Sequence, residues 1–483
     1  MARSADTRKS TPQSSRARSR REAAPAPVGD LARRGLDDLQ SIVAFLGKRR
    51  LLARVKTAVD PHLELGGVAR RFHGGKAVYF EKTKGSPHPV FTGLYWNRAL
   101  LAELFGVSPE QLPFLVADAV AQWQQTPLHP VVAADAPAQE VVEERVDLST
   151  LPIPKMGLEE GGPYLTSSVV IAKDPDTGVR NASIMRFMVT GPDRLGCLMD
   201  IGRHLRDYYE RAEARGEPLE VTINNGVDPA VHFASVVPGS AAPLESDELG
   251  IASHLLGRPL ELVPARTVGV ECVASAQFIL EAEILPHVRE PEGPAAEVTG
   301  YYAQRADRWV ARVKAVTRRA NPIWHTIVPG QEVYNAVGLV AEASIFRLVS
   351  RQIPGVLAVY LSYGGCGFYH AVVQLRKHTE GLQRNAILAT FGAFPSLKQV
   401  TVVDEDVDIY DPQDVEWALA TRFRPDRDII LIPEARGHEL NPSTDGGIGC
   451  KIGLDATAPS PRPSHFERVA FQPVDLAKYE IEE

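Results

Sequence analysis

The sequence predicts a multidomain α/β fold, and three observations predict it. The chain has 483 residues, beyond the roughly 250–300 at which a single hydrophobic core stops growing. Helix-spaced and strand-like apolar runs alternate near the start and again in the last third, whereas the middle is dominated by strand-like runs. The composition, 44% hydrophobic and 23% charged, is that of a soluble globular protein. These divide the chain into a basic tail (1–29), an N-terminal α/β domain (30–126), a linker (127–150), a β-dominated central domain (151–320) and a C-terminal α/β domain (321–483).

The first 29 residues are rich in Arg, Ser, Ala and Pro and nearly devoid of large apolar side chains. Such a segment buries too little surface to order itself and is read as a disordered, solvated tail. It also lacks the apolar core of a secretory signal. Leu39, Ile42, Val43 and Leu46 then recur at helical spacing. A strand over 51–55, a helix around 63–69, a strand over 77–80 and helices over 100–105 and 115–123 follow. Residues 127–144, rich in Pro, Ala and Val, read as the link to the next domain.

Apolar runs at 167–172 and 183–189 flank Asp174-Pro175-Asp176-Thr177-Gly178, a turn sequence, and predict a strand pair. A charged helix over 206–215 ends at Gly216, and strands over 219–223, 261–263, 268–273 and 276–282 complete a region read as a barrel. The last third predicts a helix over 333–350 and strands over 356–363, 368–375 and 399–403. A helix over 412–420 has Asp411 placed to cap it and Pro412 at its first position. Residues 429–432 read as a final core strand.

No apolar run approaches the roughly 20 residues of a bilayer span, so no membrane partner is expected. The net charge of −7 gives no reason to expect nucleic-acid binding. Cys197, Cys272, Cys366 and Cys450 are far apart in sequence, which argues against a disulfide framework or zinc site and fits a reducing cytoplasm. The acids Asp404, Glu405, Asp406 and Asp408 read as a solvated loop or helix cap. The glycine-rich run at 445–451 lacks the Gly-Lys-Ser/Thr ending of a nucleotide-triphosphate loop.

Asn181 and Arg186, five residues apart, would face opposite sides of a regular strand. A bulge or strand end would be needed for both to serve one ligand; otherwise they are a surface amide and an arginine in a salt bridge. Glu292 and Glu297, also five apart, sit in a Pro/Gly-flanked loop leading into Tyr301-Tyr302. Single surface glutamates are usually just solvated, but such loops are common carriers of functional side chains.

Several runs together carry a resemblance. They are Gly162-Pro163-Tyr164, the turn sequence continued through Val179-Arg180-Asn181, residues 212–218, 291–302 and 402–408, Ala420-Thr421-Arg422, and Lys451-Ile452-Gly453-Leu454-Asp455-Ala456-Thr457. In this order, across about 37–459, they make the chain resemble the UbiD-type decarboxylases, which depend on prenylated FMN. The resemblance implies a central split β-barrel of flavin-reductase type as the cofactor domain, and a C-terminal domain that helps form a homodimer or higher homo-oligomer.

It also implies a catalytic set matched by Arg186, Glu292 and Glu297, with Glu297 the proton donor and the other two a supporting ion pair. Asn181, His204 and Glu248 match the ligands of a divalent cation, Mn²⁺ or Mg²⁺, with K⁺ nearby, against the flavin phosphate. Ser183, Ile184, Arg186, Arg203 and Lys398 match further flavin contacts. Nitrogen and oxygen ligands suit such a hard cation. Glu292 paired with Arg186 stays ionised, and its charge favours a proton on Glu297.

Where the family commonly has Gly-Pro-Phe-Gly, this chain has Gly293-Pro294-Ala295-Ala296. Losing the ring is expected to enlarge the pocket, and losing the second glycine to restrict the backbone.

The reading that follows is a reversible, non-oxidative decarboxylase of an aromatic, heteroaromatic or α,β-unsaturated carboxylic acid, supplied with cofactor by a flavin prenyltransferase. An FMN-dependent reductase would leave both glutamates without a task. A non-catalytic subunit of a multi-component carboxylase would be favoured had Arg186, Glu292 or Glu297 been lost, and none is. Residues 333–346, 363–368 and 437–443 are expected to shape the substrate pocket.

Overall fold

The computed structural model describes residues 29–200 and 202–480. Residues 1–28, nearly all of the expected tail, lie outside them. Gly29 belongs to the body instead: it is buried, and a Cβ there would lie 2.5 Å from the Leu255 carbonyl oxygen. Only glycine permits so close an approach.

The fold is a mixed α/β multidomain one built on three principal sheets. Near the start, Leu52–Val55, Ala77–Phe80 and Val90–Thr92 form a small sheet, preceded by the helix Leu39–Lys48. That helix begins because the Asp38 carboxylate accepts from the Ser41 amide, which satisfies one of the free donors of the first turn. Its Leu39, Ile42, Val43 and Leu46 are buried, as their spacing predicts. Helices Arg98–Phe105 and Leu112–Gln125 follow. The fourth strand of this sheet comes from far along the chain: Trp324–His325 pairs in parallel with Val90–Thr92. The expected boundary at 320/321 is therefore corrected, because the chain returns to the first sheet before entering the last.

The central sheet has nine strands, dominated by the antiparallel pair Phe278–Glu292 and Ala306–Arg318. Its hydrogen-bonded order runs from Tyr164–Leu165 at one end to Arg180–Ile184 at the other without closing on itself. The expected linker is part of this body. Val141–Glu143 pairs with Ala306–Arg318, and Val131–Val132 with Glu261–Pro264. Strands of two or three residues are too short to show alternation, so their composition alone suggested a loop.

The helix Gln331–Gln352 crosses from the central region to the last sheet. It is long and apolar enough to span a bilayer, contrary to expectation, yet most of it is packed inside the protein. Five residues, Tyr334–Gly338, form a π-helical turn within it. Its carboxylates are used internally. Glu332 accepts from Thr92 Oγ1 and the amides of Gly93 and Val328, and Glu342 accepts from Arg98 at 2.7 Å and from the Leu361 amide.

The last sheet runs in the order Val356–Leu361, His370–Leu375, Gln399–Asp404, Ile448–Ala456, Ile429–Arg436. Asp411 caps Pro412–Arg422 through the Gln413 amide, as predicted. Ile429–Arg436 is an edge strand, not a core one, and its Leu431 is 59% exposed. The final strand is Ile448–Ala456, which grows out of the glycine-rich run. The acids at 404–406 are also corrected: Asp404 and Asp406 clasp the buried guanidinium of Arg422, with Arg462 alongside. The partners lie too far away in sequence for the cluster to announce itself as an ion-pair network.

Candidate active site

The expected strand over 183–189 is broken, and the break builds the site. Arg180–Ile184 pairs with Ser168–Lys173, but pairing stops at Ile184 and resumes in Phe187–Val189 against a different neighbour. Met185 and Arg186 form the step between them. Asn181, on the first strand, and Arg186, on the step, thereby line the same cavity, of about 290 Å³.

Arg186 is the junction of two carboxylates. Its Nε donates to Glu292 Oε1 at 3.3 Å, and its Nη1 contacts Glu297 Oε1. Glu292, the last residue of the long Phe278–Glu292 strand, is fully buried. Glu297 heads a tight turn in which its amide donates to the Tyr301 carbonyl and the Gly300 amide to its own carbonyl. Gly300 has φ +78°, a conformation that costs glycine little. The expected ion pair of Arg186 with Glu292 is present, and the same guanidinium also meets Glu297.

Asn181, His204 and Glu248, which also line the cavity, converge. Asn181 Nδ2 donates to Glu248 Oε1 at 3.0 Å, and His204 Nδ1 lies 3.2 Å from the same oxygen. The Ala182 amide donates to Glu248 Oε2. Burial holds the Glu248 pKa above the usual carboxylate range, opposed by its bonds to His204 and Asn181. Arg180, through Nε and Nη2, grips the adjacent Asp247, which fixes the start of the Leu249–Leu256 helix. Among the described residues no three His, Cys, Asp or Glu gather; this trio uses an amide in their place. A carboxylate, an imidazole and an amide around one buried point fit a hard divalent cation.

Ser183, Ile184 and Arg203 also line the cavity. Arg203 precedes the helix His204–Ala214, so its side chain stands beside a helix N-terminus, where anions are favoured. Lys398 is the exception: it is not in the cavity wall and donates to Ser443 Oγ at 2.7 Å. The three segments expected to shape the pocket each contribute, through Val333, Val337, Phe368, His438 and Leu440. Burial lowers the His438 pKa, and its Nδ1 accepts from the Leu440 amide.

Ala295 and Ala296 do not line the cavity. Ala295 is buried with Tyr164 and Met188, and both alanines pair with Tyr302–Ala303. The expectation that the missing ring enlarges the pocket is therefore not met. Sequence reasoning missed Thr166, Leu198, Met199 and Val298 in the wall. They lie in loops or at strand ends, where no periodicity singles them out.

Comparison with known proteins now decides the family. Its three domain models, described as the N-terminal, Rift-related and C-terminal domains of 3-octaprenyl-4-hydroxybenzoate carboxy-lyase, match residues 43–120, 130–332 and 334–456. The chain belongs to the UbiD carboxy-lyase family. Among UbiD relatives, the anhydromevalonate phosphate decarboxylase of Methanothermobacter thermautotrophicus is 39% identical over 89% of this chain and 99% of its own.

The UbiD-class enzyme HmfF of Pelotomaculum thermopropionicum, solved with FMN, superposes with a TM-score of 0.87 at 41% identity, covering 92% of this chain and 100% of its own. An evolved dimeric form of that enzyme, solved with prenylated FMN, gives 0.83 at 40% identity over the same shares. The 3,4-dihydroxybenzoic acid decarboxylase of Klebsiella pneumoniae gives 0.86 at 35% identity, over 92% and 98%.

Proposed function

We propose that this chain is a reversible, prenylated-FMN-dependent decarboxylase of an aromatic, heteroaromatic or α,β-unsaturated carboxylic acid. The observation that carries the reading is Arg186 joined to both Glu292 and Glu297 at the wall of a cavity that Asn181, His204 and Glu248 also line. The FMN and prenylated-FMN complexes of HmfF support the cofactor, and the open-ended central sheet is read as a split barrel of flavin-reductase type.

Asn181, His204 and Glu248 would hold Mn²⁺ or Mg²⁺, with K⁺ beside it, against the flavin phosphate. Ser183, Ile184, Arg186 and Arg203 would contact the flavin. When bound, the modified flavin supplies an electron sink for the pair left on carbon as CO₂ departs. The chain's own residues do the rest. Arg186 orients the two acids. One guanidinium between two carboxylates is electrically balanced when a single proton is present. Glu297, the partly open member, is placed to carry that proton and deliver it to the carbon that bore the carboxylate. Glu292, sealed beneath, keeps Arg186 in place. An FMN reductase would leave this pair of acids idle.

The cofactor is expected to come from a separate flavin prenyltransferase, the enzyme to act in the cytoplasm, and the chain to assemble as a homo-oligomer. Expression alone should give inactive apo or FMN-bound protein. Co-expression with a flavin prenyltransferase should give a new absorbance and CO₂ release from some member of an aryl, heteroaryl and acrylic acid panel. Full activity with unmodified FMN overturns the reading.

His204→Ala tests the cation site. It removes one of three ligands, and ligand losses in such sites are costly. Metal and flavin content after gel filtration should drop by about ten-fold or more while the melting temperature of the apo protein holds. Wild-type stoichiometry in the variant would make His204 structural.

A further inference from the structure

The Glu297 turn cannot hold itself in place. Its flanking strands, Ala295–Ala296 and Tyr302–Ala303, have two residues each and, among the described residues, pair only with one another. An isolated hairpin is at best marginally stable, yet this one presents a side chain that must be placed to within a fraction of an ångström. Residues 156–164 supply what is missing.

The Glu160 carboxylate, 5% exposed, accepts from the amides of Met156 and Gly157 through Oε2 at 2.8 and 2.9 Å. Through Oε1 it accepts from the Ala296 amide at 3.3 Å, one residue before Glu297. The Gly161 amide donates to the Pro294 carbonyl at 2.8 Å. A Cβ on Gly161 would lie 2.2 Å from the Gly293 carbonyl oxygen, so the approach requires glycine. Tyr164, 2% exposed, offers its hydroxyl to Glu292 Oε1 at 3.0 Å, with the Pro294 carbonyl 3.2 Å away. The Glu159 amide donates to the Tyr302 hydroxyl beyond the turn. The segment thus grips the loop before, beside and after Glu297, while Glu160 and Tyr164 stay out of the cavity wall.

We propose that Tyr164 and Glu160 are positioning residues of the active site: Tyr164 sets the Glu292 carboxylate that anchors Arg186, and Glu160 sets the backbone from which Glu297 projects. The inference rests on the assignment of Glu297 as proton donor. A misplacement of about 1 Å can cost on the order of 10²-fold in rate, and neither residue meets the substrate. Their loss should therefore lower kcat and spare KM.

The test uses full-length holoenzyme carrying Tyr164→Phe, which removes only the hydroxyl, or Glu160→Gln, which replaces one acceptor oxygen by a donor. Each variant should keep its melting temperature and lose roughly 10- to 100-fold in kcat, with KM within about three-fold of wild type. Hydrogen–deuterium exchange followed by mass spectrometry supplies a readout independent of turnover. The peptide covering 293–303 should exchange at least about ten-fold faster in Glu160→Gln than in wild type. The peptide covering 155–161, whose Met156 and Gly157 amides the same carboxylate holds, should also exchange faster, with peptides elsewhere unchanged.

Unchanged kcat in both variants overturns the proposal. So does a raised KM at unchanged kcat, or faster exchange spread over the whole chain with a lowered melting temperature. If wild-type holoenzyme releases CO₂ from no acid, the decarboxylase reading fails, and the exchange arm decides alone: faster exchange at 293–303, confined to that peptide and 155–161, upholds the support by Glu160, and no change at 293–303 overturns it.

Discussion

Glu297→Gln is expected to abolish decarboxylation while leaving the flavin and its spectrum in place. Glutamine keeps the size of the side chain and can still hydrogen-bond Arg186, but it has no carboxylic-acid proton to give. General acid catalysis contributes typically ~10²–10⁴-fold, so the loss should be of at least that order. The variant should also fail to exchange solvent deuterium into the product at the carbon that bore the carboxylate. Glu292→Gln should differ, because it withdraws a buried anion from Arg186 and from the Tyr164 hydroxyl and should disturb both turnover and flavin state. A Glu297→Gln enzyme that protonates product near the wild-type rate would place the acid elsewhere.

The second large effect is on stability. Arg98, on the Arg98–Phe105 helix, donates to Glu342 at 2.7 Å, and the two side chains are only 8% and 1% exposed. Its guanidinium also lies 5.3 Å from the Tyr360 ring centroid, so one side chain ties together three parts of the chain. Arg98→Ala leaves Glu342 buried without its cation, which should cost about 3–5 kcal/mol and show as a clear drop in melting temperature. Removing both charges, in Arg98→Met with Glu342→Leu, should recover most of the loss. Turnover should fall in the single variant as well, because the helix that carries Glu342 also carries Val333 and Val337 into the cavity. An unaltered melting temperature would show that the pair adds nothing.

Local chemistry made much of this legible in the sequence. Asp411 followed by Pro412 marks a helix start whatever surrounds it, and the spacing of Leu39, Ile42, Val43 and Leu46 marks a buried face. Arg186, Glu292 and Glu297 were recognisable through motif resemblance, and the structure brings them together. What stayed hidden depends on partners distant in the chain. The step at Met185–Arg186 follows from a change of pairing neighbour that no local pattern encodes. The apolar run at 429–432 reads the same whether its strand lies at the edge of a sheet or in its middle. Arg422 and Arg462 turn an acidic loop into an ion-pair network only once the chain has folded. Lys398 shows the reverse limit, since a motif position aligned it with the flavin while its own environment ties it to Ser443.

The return of Trp324–His325 to the first sheet has a consequence for biosynthesis. Val90–Thr92 leaves the ribosome early, but its parallel partner does not exist until residue 325 has been made. At ~5–20 residues per second, the nascent sheet waits roughly 10–50 s with one edge uncovered, and an uncovered edge is a template for pairing with another chain. The first sheet is the earliest to be synthesised yet cannot be completed until the central region has been made. A fragment ending at residue 126 would carry that open edge permanently.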